Sequence, residues 1–439
     1  MKIIQVLNHF LPNQTAGTEI YVWALSKALQ SYGHEVKILI PNYGSESSSC
    51  YIHDGLIVHQ FAEPSIIDKE LIMGFRVPDG LPFFTSFING ENPDLIHFHE
   101  LAGSNGIGIS HVRAAKNFGA KIVMTFHLAG YSCQTSTLMY MGKTPCDGKI
   151  NKFKCSSCFF HKNEFNYSSN LLASASTILD YLKVDSIKWM NSFGTALGTA
   201  AIITRLEKKL YELVDICDQV ICISDWYHQV LRVNGINEKK ISYIGQGLPT
   251  PFSISTKRKK NKPLKLMFLG RISHFKGLHL LIDAISSFSE ETVELSIFGR
   301  TDGTNYENSL RKKTINKVNI HWRGVLEQSS VQYEMNKHDL LCLCSTFSEM
   351  SPLVIQEARA AGLPILASNV QGNVEQISHE KNGFLFDFND VASLKKQITR
   401  ILNETSILDK IKSNKFIQRS FNEVADDYLI LFNNLFINE

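Results

Sequence analysis

Short apolar runs bounded by turn residues alternate with amphipathic stretches twice over along this chain, and that alternation constrains its fold more than any other feature. The first series is Ile3 to Leu7, Val36 to Ile40, Leu95 to Phe98, Ile122 to Phe126 and Val220 to Ile223. The second is Leu264 to Leu269, Leu295 to Phe298, Ile320 to Trp322, Leu340 to Cys344 and Pro364 to Ala367. Each series predicts an α/β domain, a doubly wound parallel sheet with helices on both faces. After the first run, Ala16-Gly17-Thr18 opens a helix whose Tyr21, Leu25, Ala28 and Leu29 share one face, and Gly33 ends it. Between the series lie Pro249-Thr250-Pro251, the polar and basic segment Ser253 to Lys262, and Pro263, which together read as an interdomain linker. A length of 439 residues exceeds what one core supports and agrees with two domains.

Composition narrows the class. With 44% apolar residues, 20% charged residues and a formal charge of +3, the chain is globular, and no basic stripe suits it to nucleic acid. Met1 to Leu7 lacks the apolar core and cleavage site of a signal peptide. The charge-free stretches Ile122 to Gly142 and Trp189 to Thr204 are interrupted by polar residues or too short to span a bilayer, so a cytoplasmic protein is expected. The run Lys257-Arg258-Lys259-Lys260 suits an anionic membrane surface, although most such runs are solvated loops.

Nine cysteines without an export signal argue for free thiols rather than a disulfide framework. Cys217, Cys222, Cys342 and Cys344 lie in apolar strand-like runs and are expected as small buried side chains. Cys133, Cys146, Cys155 and Cys158 are separated by twelve, eight and two residues in a short polar region. That spacing fits a closed tetrahedral zinc site; four free thiols in a loop are the alternative.

Ligands of open α/β sheets bind beyond the carboxyl ends of the strands, so the residues that follow each run carry the chemistry. Leu269 is followed by Gly270-Arg271-Ile272-Ser273-His274-Phe275-Lys276-Gly277, two cations in a glycine-bounded loop, which suits a diphosphate. Cys344 is followed by Ser345-Thr346-Phe347-Ser348-Glu349-Met350-Ser351-Pro352 and a helix, with Ser351 expected as its cap and Pro352 in its first turn. Free backbone N–H groups there attract phosphate. Glu349 on the loop suits the sugar end of a ligand, and Glu357, set among Leu353, Val354, Ala358, Ala360 and Ala361, suits ribose hydroxyls.

The stretch Ser348 to Pro364, with seven residues between its two glutamates, resembles the signature of the retaining glycosyltransferases of family four, which have the GT-B fold of two Rossmann-like domains facing across a cleft. Gly270-Arg271 with Lys276-Gly277 resembles their phosphate-binding loop, and Asn382-Gly383-Phe384-Leu385-Phe386 the turn that follows. Ala16-Gly17-Thr18-Glu19 is similar to their N-terminal glycine loop, with Ala16 in place of one glycine. Asp94 to Glu100 and Thr125-Phe126-His127 are similar to their strand-end motifs. The resemblance implies a nucleotide-diphosphate sugar donor, with Arg271 and Lys276 on the diphosphate, Gly17 near it, and Glu357 on the ribose. Glu349 would hold the transferred sugar with the backbone amides of Met350, Ser351 and Leu353, and His127 would face donor and acceptor, while His97 belongs to the core. Met-Ser-Pro stands where many members have Gly-Phe-Gly.

On this reading, residues 1–248 form an acceptor-side domain with a cysteine-rich insertion at about 132–165, 249–262 the linker, and 263–415 the donor domain. Residues 416–439 form a helix that crosses back to the N-terminal domain. No catalytic metal is expected. The acceptor is expected to be a saccharide or lipid-linked saccharide in surface polysaccharide synthesis (O-antigen, capsule or exopolysaccharide), with peripheral contact at the inner membrane. One rival is a nucleotide-dependent oxidoreductase, against which stands the lack of Gly-x-Gly-x-x-Gly after either first strand. The other is a non-enzymatic, zinc-bearing binding protein.

Overall fold

The structure, a computed structural model, describes residues 1–102, 104–163, 168–189, 191–252, 263–301, 303–404, 406–412 and 419–437. The chain divides into two compact units. Unit 1 comprises Met1–Met141, Cys146–Pro249 and Ser420–Glu439, and unit 2 comprises Gly142–Pro145 and Thr250–Arg419. Most of the expected linker, with the run Lys257 to Lys260, lies outside the described residues.

Unit 1 is built on an eight-stranded sheet: β1 (Lys2–Val6), β2 (Glu35–Tyr43), β3 (Ser49–His53), β4 (Leu56–Glu63), β5 (Leu95–Phe98), β6 (Lys121–Phe126), β7 (Gln219–Cys222) and β8 (Ile241–Tyr243). Their order is β8-β7-β6-β5-β1-β2-β4-β3, and every pairing is parallel except β3 with β4. Ile3, Ile4, Leu95, Ile96, Val123 and Met124 are fully buried, as strands covered on both faces require. Helix α1 (Gly17–Ser31) follows β1 and ends with Gly33 at φ +83°. The insertion-like region between β6 and β7 is largely helical: α2 (Lys152–Lys162), α3 (Ser169–Tyr181), α4 (Ser192–Leu197) and α5 (Thr199–Ile216).

Unit 2 has a six-stranded, wholly parallel sheet: β9 (Leu264–Leu269), β10 (Val293–Phe298), β11 (Ile320–Gly324), β12 (Leu340–Leu343), β13 (Ile365–Ser368) and β14 (Phe384–Phe386). The order β11-β10-β9-β12-β13-β14 reverses between β9 and β12, which makes their loops the ligand-binding crevice of a doubly wound sheet. Helix α6 (Leu278–Ile285) follows β9 and α7 (Leu353–Ala360) follows β12. Cys342 and Cys344 pack into this core, and burial pushes both thiols up, so they act as small apolar groups.

One local expectation fails. Helix α7 begins at Leu353: Pro352 is its N-cap, at φ −67° and ψ 115°, and no side chain caps it, so Ser351 lies outside the helix. The two C-terminal helices serve different cores. Helix Ser406–Lys412 sends Ile407, Leu408 and Ile411 into the core of unit 2, whereas α8 (Phe421–Ile437) buries Phe421, Tyr428 and Phe432 in unit 1. Tyr428 hydroxyl lies 2.9 Å from that of Tyr21 on α1 and 2.8 Å from Thr125 Oγ1 on β6.

Candidate active site

In unit 2 the loops after β9 and β12 are locked to each other. The Thr346 N–H donates to the Phe275 carbonyl at 2.8 Å, and Thr346 Oγ1 donates to that of His274 at 3.0 Å. Gly277 sits at φ +65°, and a Cβ there would stand 1.8 Å from the Cys344 carbonyl oxygen, so only glycine lets the loops approach this closely. The lock carries Lys276 to Glu349: Nζ is 2.6 Å from Oε1, which also accepts from Ser345 Oγ at 2.5 Å. The Phe347 ring lies under the same ammonium, 5.2 Å away. The Glu349 backbone is held by Gln371, whose carbonyl accepts its N–H at 2.9 Å, and by Gly372, where a Cβ would meet the Glu349 carbonyl oxygen at 2.0 Å.

Arg271 is exposed and has no hydrogen-bond or ion-pair partner among the described residues, so its guanidinium is available to an anion. The N–H groups of Ser351 and Leu353 have no partner there either, and Met350 is buried beside them. Glu357 is almost buried. Burial pushes its pKa up, partly offset by Gln328 Nε2, which donates to Oε1 at 2.7 Å. Its second oxygen has no protein partner among the described residues. Arg271, Lys276, Glu349, Met350, Ser351 and Leu353 thus all sit on the two loops at the strand reversal or at the first turn beyond them, with Glu357 one turn further along α7.

Gly17 and His127 belong to unit 1. Gly17 opens α1, and a Cβ there would meet nothing within 4 Å, so packing does not demand glycine at that position. Thr18 Oγ1 donates to Glu100 Oε1 at 2.9 Å, joining the start of α1 to the end of β5. One turn along α1, Tyr21 presents its edge to His127 with ring centroids 4.9 Å apart. His127 is 7% exposed at the end of β6, and burial lowers its pKa to about 3, so the imidazole is neutral. His99 at the end of β5 contacts it, Nδ1 to Nε2 at 3.1 Å, and Gln5 Oε1 lies 2.6 Å from His99 Nε2. His97 lies within the core, its Nε2 2.8 Å from Thr125 Oγ1.

Comparison with known proteins follows this geometry. The family model for glycosyl transferases group 1 matches residues 251–420, and that for glycosyltransferase family 4 matches residues 15–145. Over residues 251–420 the chain is similar to the group 1 glycosyltransferases. The O-antigen biosynthesis glycosyltransferase WbnH of Escherichia coli is 33% identical over 190 residues, 43% of this chain and 51% of that protein. The E. coli UDP-Gal:alpha-D-GlcNAc-diphosphoundecaprenol alpha-1,3-galactosyltransferase is 25% identical over 240 residues, 52% of this chain and 58% of that one. The matches span little more than half the length of the first such relatives, 51% to 59%. Among solved structures, that of Anabaena HepE in complex with UDP-glucose aligns with a TM-score of 0.60 at 14% identity, covering 100% of this chain and 99% of that one, and shows the GT-B fold.

The four clustered cysteines line one cavity of about 20 Å³ in unit 1. Cys158 Sγ accepts the Met141 N–H at 3.1 Å, and Cys155 Sγ accepts that of Asn151 at 3.5 Å. Burial, then the charges of Cys133 and Cys146, raise both thiols, Cys155 to about 11. Among the described residues no group of three or more His, Cys, Asp or Glu side chains is arranged to hold a metal ion. Sequence reasoning assigned no role to Gln5, His99, Ser345 or Gln328. Gln5 carried a signal, as a lone polar side chain in the apolar run Ile3 to Leu7.

Proposed function

We propose that this glycosyltransferase moves a sugar, with retention, from a nucleotide-diphosphate sugar to a saccharide or lipid-linked saccharide in surface polysaccharide synthesis. The observation that carries the reading is the pair of cations on the β9 loop, Arg271 without a protein partner and Lys276 joined to Glu349 at 2.6 Å. Two cations offset the charge that grows on a departing diphosphate, and a buried, oriented carboxylate beside them fixes the sugar's hydroxyls. Glu357 takes the ribose, the amides of Met350, Ser351 and Leu353 complete the sugar and phosphate contacts, and Gly17 gives the phosphates close approach to α1. His127, neutral and backed by His99, acts on the acceptor side. In a front-side displacement the bond from the anomeric carbon to the diphosphate oxygen breaks, the acceptor oxygen bonds to that carbon on the same face, and the acceptor proton passes to the departing phosphate oxygen. Retention follows, and no divalent cation is required because the two cations neutralise the charge.

Thermal unfolding with a panel of UDP-, GDP- and ADP-sugars tests the donor. A true donor at about a hundredfold its dissociation constant adds about 2.7 kcal/mol to stability. Product anomers read by NMR test retention. No stabilisation by any nucleotide sugar, or an inverted product, would overturn the reading.

The relative acting on a diphosphoundecaprenol-linked sugar supports a lipid-linked acceptor reached at the cytoplasmic membrane face. Among the described residues no helix is long and apolar enough to cross a membrane. The support for peripheral contact is on α3 to α4, where Leu171, Ile178, Tyr181, Leu182, Trp189 and Phe193 are exposed. Lys183 and Lys188 accompany them, while the acids beside them are paired, Asp180 with Lys152 and Asp185 with Arg205. Apolar and aromatic side chains beside Lys183, and beside Lys188, which pairs with Asp185 at 3.8 Å, suit an anionic bilayer surface. Sedimentation with anionic vesicles, lost in Leu171→Ser/Ile178→Ser, is the expected result.

What supports one structural zinc on Cys133, Cys146, Cys155 and Cys158 is that all four line one hollow and that the charges of Cys133 and Cys146 reach Cys155 and Cys158. Four thiolates close the shell and leave no place for a reacting water, so the ion's part would be to tie down the loop after β6. Elemental analysis is expected to find about one zinc per chain. Zinc-free protein of full stability would remove the metal.

A further inference from the structure

His127 is the outer end of a hydrogen-bonded chain that starts inside the sheet. Gln5 is fully buried on β1, with Oε1 2.6 Å from His99 Nε2, and His99 Nδ1 is 3.1 Å from His127 Nε2. A neutral imidazole carries one N–H and one lone pair, so a ring hydrogen-bonded at both nitrogens donates through one and accepts through the other. All three imidazoles here are neutral, because burial drives His97 and His99 far below their ordinary range and His127 to about 3. A carbonyl oxygen only accepts. Gln5 Oε1 therefore puts the proton of His99 on Nε2, which leaves Nδ1 bare to accept from His127. His127 must then carry its proton on Nε2 and keep Nδ1 bare. That Nδ1 has no protein partner among the described residues, and His127 retains its 7% exposure.

We propose that Gln5 and His99 are positioning residues that fix His127 as the Nε2–H tautomer, so that its Nδ1 is offered as a hydrogen-bond acceptor to a sugar hydroxyl. The last clause rests on the transferase reading above; the tautomer assignment does not. The energetics of Gln5 favour a role of this kind. Its Nε2 is buried without a hydrogen-bond partner, so the residue carries a desolvation cost for the single bond to His99. A leucine would fill the strand without that cost but would leave His99 Nε2 without its partner, so what glutamine adds is the orientation of His99. The chain also has a definite inverse. If the amide end turned over, its NH₂ would donate to His99 Nε2, His99 Nδ1–H to His127 Nε2, and His127 would show a proton on Nδ1.

The test is long-range ¹⁵N–¹H correlation NMR on the full chain labelled with ¹⁵N-histidine at pH 7, with His127 assigned by its disappearance in His127→Gln. The expected result is a bare Nδ1 and a protonated Nε2 at both His99 and His127. Gln5→Leu is expected to fold, to show mixed tautomers at His127, and to lower kcat at least about tenfold at unchanged donor KM. Gln5→Met gives the same readings should the leucine variant misfold. A proton on His127 Nδ1 in the wild type, or the wild-type tautomer persisting in the folded variants, overturns the proposal. Absence of transfer from every nucleotide sugar would instead sink the transferase reading and leave the NMR result standing.

Discussion

The two units both place their candidate groups at the carboxyl ends of parallel strands, yet fill those ends with opposite chemistry. In unit 2 the groups are ions on partly solvated loops: Arg271 exposed, Lys276 paired with Glu349, Glu357 half-satisfied by Gln328. In unit 1 they are neutral side chains under aromatic cover, with Tyr21 against His127 and Phe421 against Tyr21. The difference follows from burial. Solvated loops keep charges until a charged ligand replaces the water, whereas beneath a helix an imidazolium costs too much and only directional hydrogen bonds remain. One arrangement suits offsetting a diphosphate, and the other suits orienting hydroxyls.

Acid should separate the two most strongly. A histidine whose pKa is depressed on folding lends stability above its unfolded value, and that stability is lost as pH falls through the folded value. For His127 the window runs from 6.5 down to about 3, and at pH 4 the loss is about 3 kcal/mol from this residue alone. His97 and His99 add to it in the same direction. The urea midpoint of the wild type is expected to fall steeply between pH 6.5 and 4.5, and that of His127→Gln to fall less. Equal pH slopes would mean that the unit 1 cluster takes up protons without penalty, and the contrast between the units would collapse.

Next in size is the phosphate loop. Arg271→Ala and Lys276→Ala each remove a charge-assisted contact worth about 1.5–3 kcal/mol, so titration calorimetry should show nucleoside diphosphate binding weakened roughly ten- to a hundredfold, at unchanged thermal stability for Arg271→Ala and at lowered stability for Lys276→Ala, which strips the buried Glu349 of its cation. His127→Ala should leave that affinity intact and lower turnover. If both loop variants bind as tightly as the wild type, the ions of unit 2 are not its ligand contacts.

Much of this contrast was legible in the sequence, and the illegible part has a common cause. Strands buried on both faces write themselves as continuous apolar runs, and the loops after β9 and β12 announce themselves through Gly270, Arg271, Gly277 and Glu349. Pairings across the sheet leave no local trace. Gln5 and His99 are 94 residues apart, and Lys276 and Glu349 are 73 apart. The start of α7 depends on the backbone angles of Pro352, which composition does not fix.

The Lys276–Glu349 pair sharpens the reading of unit 2 by a smaller effect. In the free protein the ammonium is held by the carboxylate, so a bare diphosphate competes with Glu349 for it. Glu349→Gln should therefore bind the bare nucleoside diphosphate a few-fold more tightly, within about 1 kcal/mol, and lose the preference for the sugar-bearing form. Weaker binding of both ligands would make Glu349 an organiser of the loop and not a sugar contact.

The smallest effect concerns Glu357, a buried carboxylate of unit 2 that no cation partners among the described residues. Burial raises its pKa, and the single bond from Gln328 offsets only part of that. A carboxyl raised on folding contributes stability that is complete below its unfolded pKa and disappears as pH climbs through the folded one. Above its folded pKa the wild type carries an ionised, half-satisfied group that glutamine would replace without charge while still accepting from Gln328. Glu357→Gln is expected to raise the melting temperature by about 1–3 °C above that pKa, and the gain should shrink to nothing as pH falls below the ordinary carboxylate range, where the wild type is protonated too. The same variant should bind nucleotide less tightly, because an amide accepts ribose hydroxyls more weakly than a carboxylate. Scanning calorimetry across pH, with and without nucleoside diphosphate, reads both. A gain independent of pH would show that ionisation of Glu357 is not what the free protein bears, and unchanged nucleotide affinity would remove the ribose contact.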